Sequence, residues 1–122
     1  MAINQARLST TGATTVYTSS GINAIVTIAV CNTGTPDASD ESVDSCTLDV
    51  YLVSSGDAPD TPGKSGAPGT YSGNQIVSQL IVPAGETIFF SDEKIVLDNG
   101  DYLVAQASAS NLLSVTVSTL TV

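Results

Sequence analysis

The chain has 122 residues and a formal net charge of −9, because twelve acidic residues stand against three basic ones, Arg7, Lys64 and Lys94. Binding to a nucleic-acid backbone or to an anionic membrane requires clustered Lys and Arg, so we expect neither partner. The chain contains no histidine, which excludes Ser-His-Asp and Cys-His catalytic arrangements. We therefore expect no enzymatic activity and no cofactor.

The first residues, MAINQARLST, show no cationic segment followed by an apolar run, which is the pattern of a signal peptide. The longest apolar stretch, AIVTIAV, is far shorter than a bilayer span. We expect a soluble protein that is made in a cytoplasm.

Short apolar runs and alternating patterns predict strands along the whole chain, and no stretch has a convincing helical period. In chain order, the predicted strands are 3–10, 13–18, 23–32, 46–54, 75–82, 86–91, 94–98, 101–109 and 112–121. Tight hairpin turns are predicted at Pro83–Gly85, at Asn99-Gly100 and at 109–112. Long loops are predicted at about 33–45 and 54–74. The sequence thus predicts one all-β domain over 1–122, an antiparallel β-sandwich of about seven to nine short strands.

The two cysteines bracket the first long loop. Antiparallel pairing of 23–32 with 46–54 would place Cys31 opposite Cys46, on the core face together with Thr27, Ala29 and Ile25. Opposed residues are close enough for a disulfide, which would stabilise the fold by about 3 kcal/mol. A reduced pair would instead act as two small buried hydrophobic side chains. The sequence leaves both states open.

Four acids between the cysteines offer oxygen ligands for calcium: Asp37, Asp40, Glu41 and Asp44. Their spacing does not follow the alternating ligand positions of an EF-hand loop. A solvated loop tip is the favoured interpretation, and calcium is the weaker alternative. The same applies to Asp57 and Asp60 in the second loop. Zinc is not expected, because two thiols without histidine cannot complete four ligands.

The predicted hairpins divide the last strands into two faces. The bulky face, expected in the core, contains Ile95, Leu97, Tyr102, Val104, Leu113, Val115 and Val117. The opposite face contains Ala105, Ala107, Ala109, Ser114, Thr116 and Ser118. Because this second face is flat and poor in charge, we expect it to bind a partner protein, unless it is simply an exposed face of the sheet. Further contacts are expected from Val26, Ile28 and Val30, and from the N-terminal segment Ala2–Leu8.

Two segments carry a resemblance to a known family. TSSGINAIVTIAVCNTG, followed later by LIVPAGETIFFSDEKIVLDNGDYLVAQASASNLLSVTVSTLTV, resembles small virion proteins of tailed bacteriophages, notably those of cyanobacteria. The shared features are a strand ending in CNT, a PAGET turn, KIVLDNGD, and an alanine- and serine-rich region that ends in VTVS. The resemblance implies a β-sandwich without an active site.

The resemblance further implies a role in the virion, which is assembled in the host cytoplasm. The expected function is that of a capsid decoration (cement) protein on the outside of the shell, or of a tail or neck accessory protein. The expected partners are major capsid or tail proteins, and several copies or a homo-oligomer are expected on each particle. The alternative is a calcium- or carbohydrate-dependent adhesion module, based on the acidic loops and on Tyr51, Tyr71 and Tyr102.

Overall fold

The computed structural model describes residues 2–55, 75–91 and 94–122, which form nine strands and no helix. The strands are β1 (Ala2–Arg7), β2 (Thr14–Thr18), β3 (Asn23–Asn32), β4 (Cys46–Val53), β5 (Gln75–Val82), β6 (Thr87–Phe90), β7 (Ile95–Leu97), β8 (Tyr102–Ala107) and β9 (Leu113–Thr121). The all-β prediction is confirmed, and all nine predicted strands are found within a few residues of their predicted bounds. None of the described residues belongs to a helix that could cross a membrane.

The strands form two antiparallel sheets. Sheet A has the order β1-β9-β3, with β6 and β7 both paired to the remaining side of β3, and sheet B has the order β2-β8-β4-β5. β6 pairs with the second half of β3 and β7 with its first half, so together they make one interrupted edge. The two sheets face each other as a sandwich.

The core lies between the sheets and consists almost entirely of aliphatic side chains. The residues with no exposed surface include Leu8, Val30, Leu48, Val82, Leu103, Leu113 and Val117. Burial of one such side chain contributes about 1.5–3 kcal/mol. In β9, for example, buried residues recur at alternate positions from Leu113 to Thr119, because side chains of a strand alternate between the two faces of the sheet.

The three predicted tight turns are present, but they do not join hairpins. Each contains a residue with positive φ, namely Gly85 at 79°, Gly100 at 89° and Asn111 at 63°. Each connects a strand of one sheet to a strand of the other, so the predicted hairpin pairings are wrong. The turns form hydrogen bonds with distant parts of the chain instead: the Gly85 amide donates to the Asn32 carbonyl at 3.0 Å, and the Asn111 amide donates to the Leu8 carbonyl at 2.9 Å.

The first predicted long loop, 33–45, connects β3 to β4 and contains turns but no strand. The second lies between the end of β4 at Val53 and the start of β5 at Gln75. Most of it, residues 56–74, lies outside the described residues, as do the weak calcium candidates Asp57 and Asp60 and the adhesion candidate Tyr71. The assignment of the whole chain to one domain stays a prediction.

Candidate interaction surface

Four of the seven predicted interface residues have almost no exposed surface. Ile28, Val30, Ala105 and Ala107 each expose 4% or less of their surface and belong to the core between the sheets. Ala109 is half-buried and packs against the same core. The predicted exposed position is therefore wrong for the four buried residues, because the domain's own core already covers them.

A β-bulge explains the error in β3. The pairing of β3 with β9 shifts by one residue between Ile25 and Thr27. A bulge adds one residue to a strand and thereby exchanges the two faces beyond it. Val26 lies in the bulge and is half-buried, and its carbonyl accepts a hydrogen bond from the Lys94 ammonium at 3.3 Å. Unbroken alternation along the sequence predicted that Thr27, Ala29 and Cys31 lie in the core. In the structure these three side chains point to the opposite face of the sheet.

The error in β8 has a different origin. The predicted hairpins placed Tyr102 and Val104 on the core side, but β8 pairs with β2 and β4. Its core-facing residues are Leu103, Ala105 and Ala107. Val104 is also buried, but it belongs to a second, smaller cluster with Tyr51 and Val53, on the far side of sheet B. Small residues in β8 thus allow the two sheets to pack, and do not form a binding surface.

The predicted faces of β9 are confirmed. Leu113, Val115 and Val117 are buried, and Thr116, the remaining predicted interface residue, is half-buried on the opposite face. Thr116 lies opposite Gln5 of β1 and Ala29 of β3. It is therefore near the centre of the side of sheet A that faces away from the core.

We call this side the outer face of sheet A and define it by strand register and burial. Its residues are Ile3, Gln5 and Arg7 of β1; Ser114, Thr116, Ser118 and Leu120 of β9; Ala24, Thr27, Ala29 and Cys31 of β3; Thr87 and Phe89 of β6; and Val96 of β7. Most are small, hydroxyl-bearing or apolar; Gln5 carries an amide, and Arg7 is the one charged residue among them. A charge-poor outer face therefore exists, but it lies on sheet A, is built mostly from other strands than predicted, and also carries large side chains such as Ile3 and Phe89.

The outer face combines exposed apolar side chains with a lack of negative charge. Ile3, Phe89 and Val96 expose 67%, 65% and 63% of their surface. No Asp or Glu lies in any of the five described strands of sheet A, and Arg7 is their one charged residue. Depletion of charge is typical of interface cores, and a partner that covers exposed apolar side chains removes them from water, which favours binding. This face is the strongest candidate for contact with another protein.

Known proteins offer no further guide. Comparisons with protein families, curated proteins and solved structures found no match to this chain. The functional interpretation given below is therefore argued from the outer face of sheet A and from the sequence resemblance alone.

The acidic loop uses two of its carboxylates for local hydrogen bonds. Asp37 accepts bonds from the hydroxyl and the amide of Ser39, at 2.7 and 2.9 Å, and Asp40 accepts the same pair from Ser42, at 2.6 and 3.0 Å. The serine hydroxyl is the main reason why the pKa of each carboxyl is lowered. These turns order the loop tip, and both acids remain exposed to water.

The other two calcium candidates do not complete a ligand set. Asp44 accepts a bond from the Thr35 amide at 3.2 Å, and Glu41 lines a shallow groove together with Asp37 and Glu86. Among the described residues, no three His, Cys, Asp or Glu side chains are grouped so that they could hold a metal ion. The structure thus does not bring the four predicted ligands together.

The two cysteines lie in different sheets. Cys31, in β3, pairs with Thr87 and Ser114 in sheet A, whereas Cys46, in β4, pairs with Val82 in sheet B. Cys46 is buried in the core, Cys31 points away from it, and both thiols are free. The predicted pairing of the two strands is therefore wrong, and no disulfide forms. Because Cys31 lies on the outer face of sheet A and Cys46 lies in the core, the two side chains point away from each other.

The described residues leave a cavity on one side of the sandwich. Between the edges formed by β5 and by β6 and β7 lies a cavity of about 470 Å³. Its lining is aliphatic and aromatic apart from Ser91, and includes Ile25, Val50, Val77 and Phe90.

Sequence reasoning missed one structural residue, Asn32. Its side chain is fully buried at the end of β3. Its amide nitrogen donates to the carbonyls of Asp44 and Val82, both at 2.8 Å, and its amide oxygen accepts from the Gly34 amide at 2.8 Å. Asn32 thereby joins sheet A, the acidic loop and sheet B. The sequence did contain a signal for this role: Asn32 is a polar residue at the end of an apolar strand, immediately before Thr33-Gly34.

Proposed function

We propose that this protein is a non-catalytic structural protein of a tailed-bacteriophage virion, a decoration protein that binds the outside of the capsid. The observation that carries the proposal is the outer face of sheet A, which combines exposed apolar side chains with neutral polar ones and has no acidic residue, in a chain of net charge −9. The resemblance of the CNT, PAGET and KIVLDNGD segments to small virion proteins supports the same assignment.

The distribution of charge favours docking through this face. Burial of an unpaired charge is costly, whereas small, neutral side chains lose little on leaving water. Eleven of the twelve acids lie outside the described strands, and the remaining one, Asp49, lies in sheet B. The face can therefore be covered while the acids keep their hydration. The partner surface that fits is apolar at its centre and framed by Lys or Arg, because complementary charge favours association.

Purified particles of the phage that encodes the chain provide the first test. Mass spectrometry should find the protein at a copy number comparable to that of a shell protein. Gold-labelled antibodies should mark the head; labelling confined to the tail or neck would move the assignment to an accessory protein there. Absence of the protein from particles would contradict the proposal.

A pair of variants tests the surface itself. Thr116→Arg places a charge at the centre of the outer face of sheet A, and Thr15→Arg places the same charge in β2 of sheet B, where Thr15 is exposed. Both should fold as the wild type does. In co-sedimentation with particles that lack the protein, we expect Thr116→Arg to bind at least tenfold more weakly and Thr15→Arg to bind normally. Normal binding by Thr116→Arg would show that another surface makes the contact.

A further inference from the structure

The sandwich has four edges: β1 and the β6–β7 pair in sheet A, and β2 and β5 in sheet B. An exposed edge presents unpaired backbone N–H and C=O groups and can pair with another chain. Natural proteins block such edges with bulges, interruptions, short strands or charges. An edge without these devices is therefore a candidate for pairing.

Three of the four edges are blocked. The pairing of β5 with β4 shifts register twice, and Gln79 has a φ of 50° while its amide donates to the Asp49 carboxylate at 2.8 Å. The pairing of β2 with β8 shifts between Thr15 and Tyr17. The β6–β7 edge is divided into strands of four and three residues.

β1 has no bulge and no interruption, and only its last residue is charged. All six of its residues pair with β9 in one continuous register, from Ala2 with Thr119 to Arg7 with Ser114. The strand contains no proline and no acid, and no described strand pairs with its other side. Its one charge lies at its end, where the Arg7 guanidinium donates to the Asn111 carbonyl at 2.9 Å.

We propose that β1 pairs antiparallel with β1 of a second copy, so that two five-stranded sheets A become one continuous sheet. Outer side chains must stay opposite outer side chains, because their period along a strand is two. A two-fold axis at Gln5 satisfies this condition. It places Gln5 opposite Gln5 and Ile3 opposite Arg7, and it uses residues 3–7 of each chain.

Local charge does not oppose a second copy at this edge. Two chains of net charge −9 repel each other, but here they meet through strands that contain no acid. In the Gln5-centred register the two Arg7 side chains lie at opposite ends of the strand pair, each against an Ile3, so like charges do not face each other. An antiparallel strand pair is also self-complementary, as a two-fold interface requires.

The dimer is expected to be weak. A stable interface buries about 1,600 Å² in total, which a single pair of short strands does not supply, so we expect dissociation at micromolar concentrations. The dimer would double the outer face of sheet A. This inference rests on the edge geometry alone, so it is independent of the virion assignment.

Cysteine cross-linking tests both the contact and its register. In a Cys31→Ser background, Gln5→Cys places a cysteine opposite its own copy, with a Cα separation of about 4.5–5.5 Å, within reach of a disulfide. Mild oxidation should give a covalent dimer. Ile3→Cys and Arg7→Cys should each give little dimer alone and a cross-linked dimer when mixed. Thr15→Cys, on the blocked β2 edge, is the control.

Charge reversal tests the same axis without oxidation. Gln5→Lys and Gln5→Glu each place like charges face to face, and each should weaken the dimer at least tenfold in sedimentation velocity. Mixing the two variants should restore association. A wild type that stays monomeric at high concentration and high salt would overturn the proposal. Cross-linking of Gln5→Cys no stronger than that of Thr15→Cys would do the same.

Discussion

Replacing Asn32 with alanine tests how much the junction of the two sheets contributes to stability. The fully buried side chain donates two hydrogen bonds at 2.8 Å, to the Asp44 and Val82 carbonyls, and accepts one from the Gly34 amide. Alanine would leave these three groups without a side-chain partner. Each lost hydrogen bond of this kind costs about 1–1.5 kcal/mol, so the free energy of unfolding should fall by about 3–4 kcal/mol.

Urea unfolding measures this loss directly. The chain has four tyrosines and no tryptophan, so tyrosine fluorescence and circular dichroism can follow the transition. With a denaturant slope of about 1.5 kcal/mol per molar urea, the midpoint should fall by about 2 M. A matched control is Asn99→Ala, which removes one exposed bond, accepted from the Gly21 amide at 2.9 Å, and should have a small effect.

A second variant separates hydrogen bonding from packing. Asn32→Asp keeps the shape of the side chain but directs a carboxylate oxygen at two carbonyl oxygens. Because burial raises the pKa of such a carboxyl, the variant should be least stable at neutral pH and should recover part of its stability in mild acid, where the carboxyl is protonated. Equal midpoint shifts for Asn32→Ala and Asn99→Ala would refute the assigned role of Asn32.

Three other changes probe the core, the buried tyrosine and the acidic loop. Ala107→Arg should prevent folding, because it places an unpaired charge between the sheets; a folded, soluble variant in circular dichroism would show that the face of β8 is wrongly assigned. Burial and the nearby Asp49 raise the pKa of Tyr51, so its contribution to stability is present below about pH 10 and is lost as the pH rises through the raised pKa. Between about pH 9 and pH 11, the melting temperature should fall more for the wild type than for Tyr51→Phe; an equal fall would contradict this. Calcium should leave the melting temperature unchanged, because no three potential ligand side chains are grouped among the described residues; a rise that Asp40→Asn abolishes would favour the adhesion alternative.

Local patterns predicted the strands well, because turn residues and apolar runs mark where strands begin and end. β3 and β5 were predicted with the bounds that the structure shows, and Pro83–Gly85 forms the predicted turn. The partners of the strands could not be predicted in this way. A tight turn shows only that the chain reverses its direction. At Gly85 and Gly100 the chain passes into the opposite sheet, and which sheet it enters depends on contacts with residues distant in the sequence.

A charge-poor strand face was expected from the sequence, and such a face exists, but most of the residues assigned to it lie in the core. Thr116 was placed correctly, because buried and less buried residues alternate in β9 from Leu113 to Leu120. Ile28 and Val30 were misplaced because the bulge at Val26 has no clear sequence signal and reverses every residue after it. Asn32 was overlooked because the importance of its amide appears only when three distant backbone groups converge on it.

The way in which the strands alternate between sheets also has a consequence for folding kinetics. Of the nine strands, only β4 and β5 are both consecutive and paired, and more than twenty residues separate them. The described strands can therefore form no short hairpin early, and their pairing depends on contacts between distant parts of the chain, which is typical of β proteins that fold in milliseconds to seconds. β1 and β3 both pair with β9, which is the last of the described strands along the chain. Sheet A can be completed only after β9 has left the ribosome, and until then the apolar strand β3 must be kept from pairing with other chains.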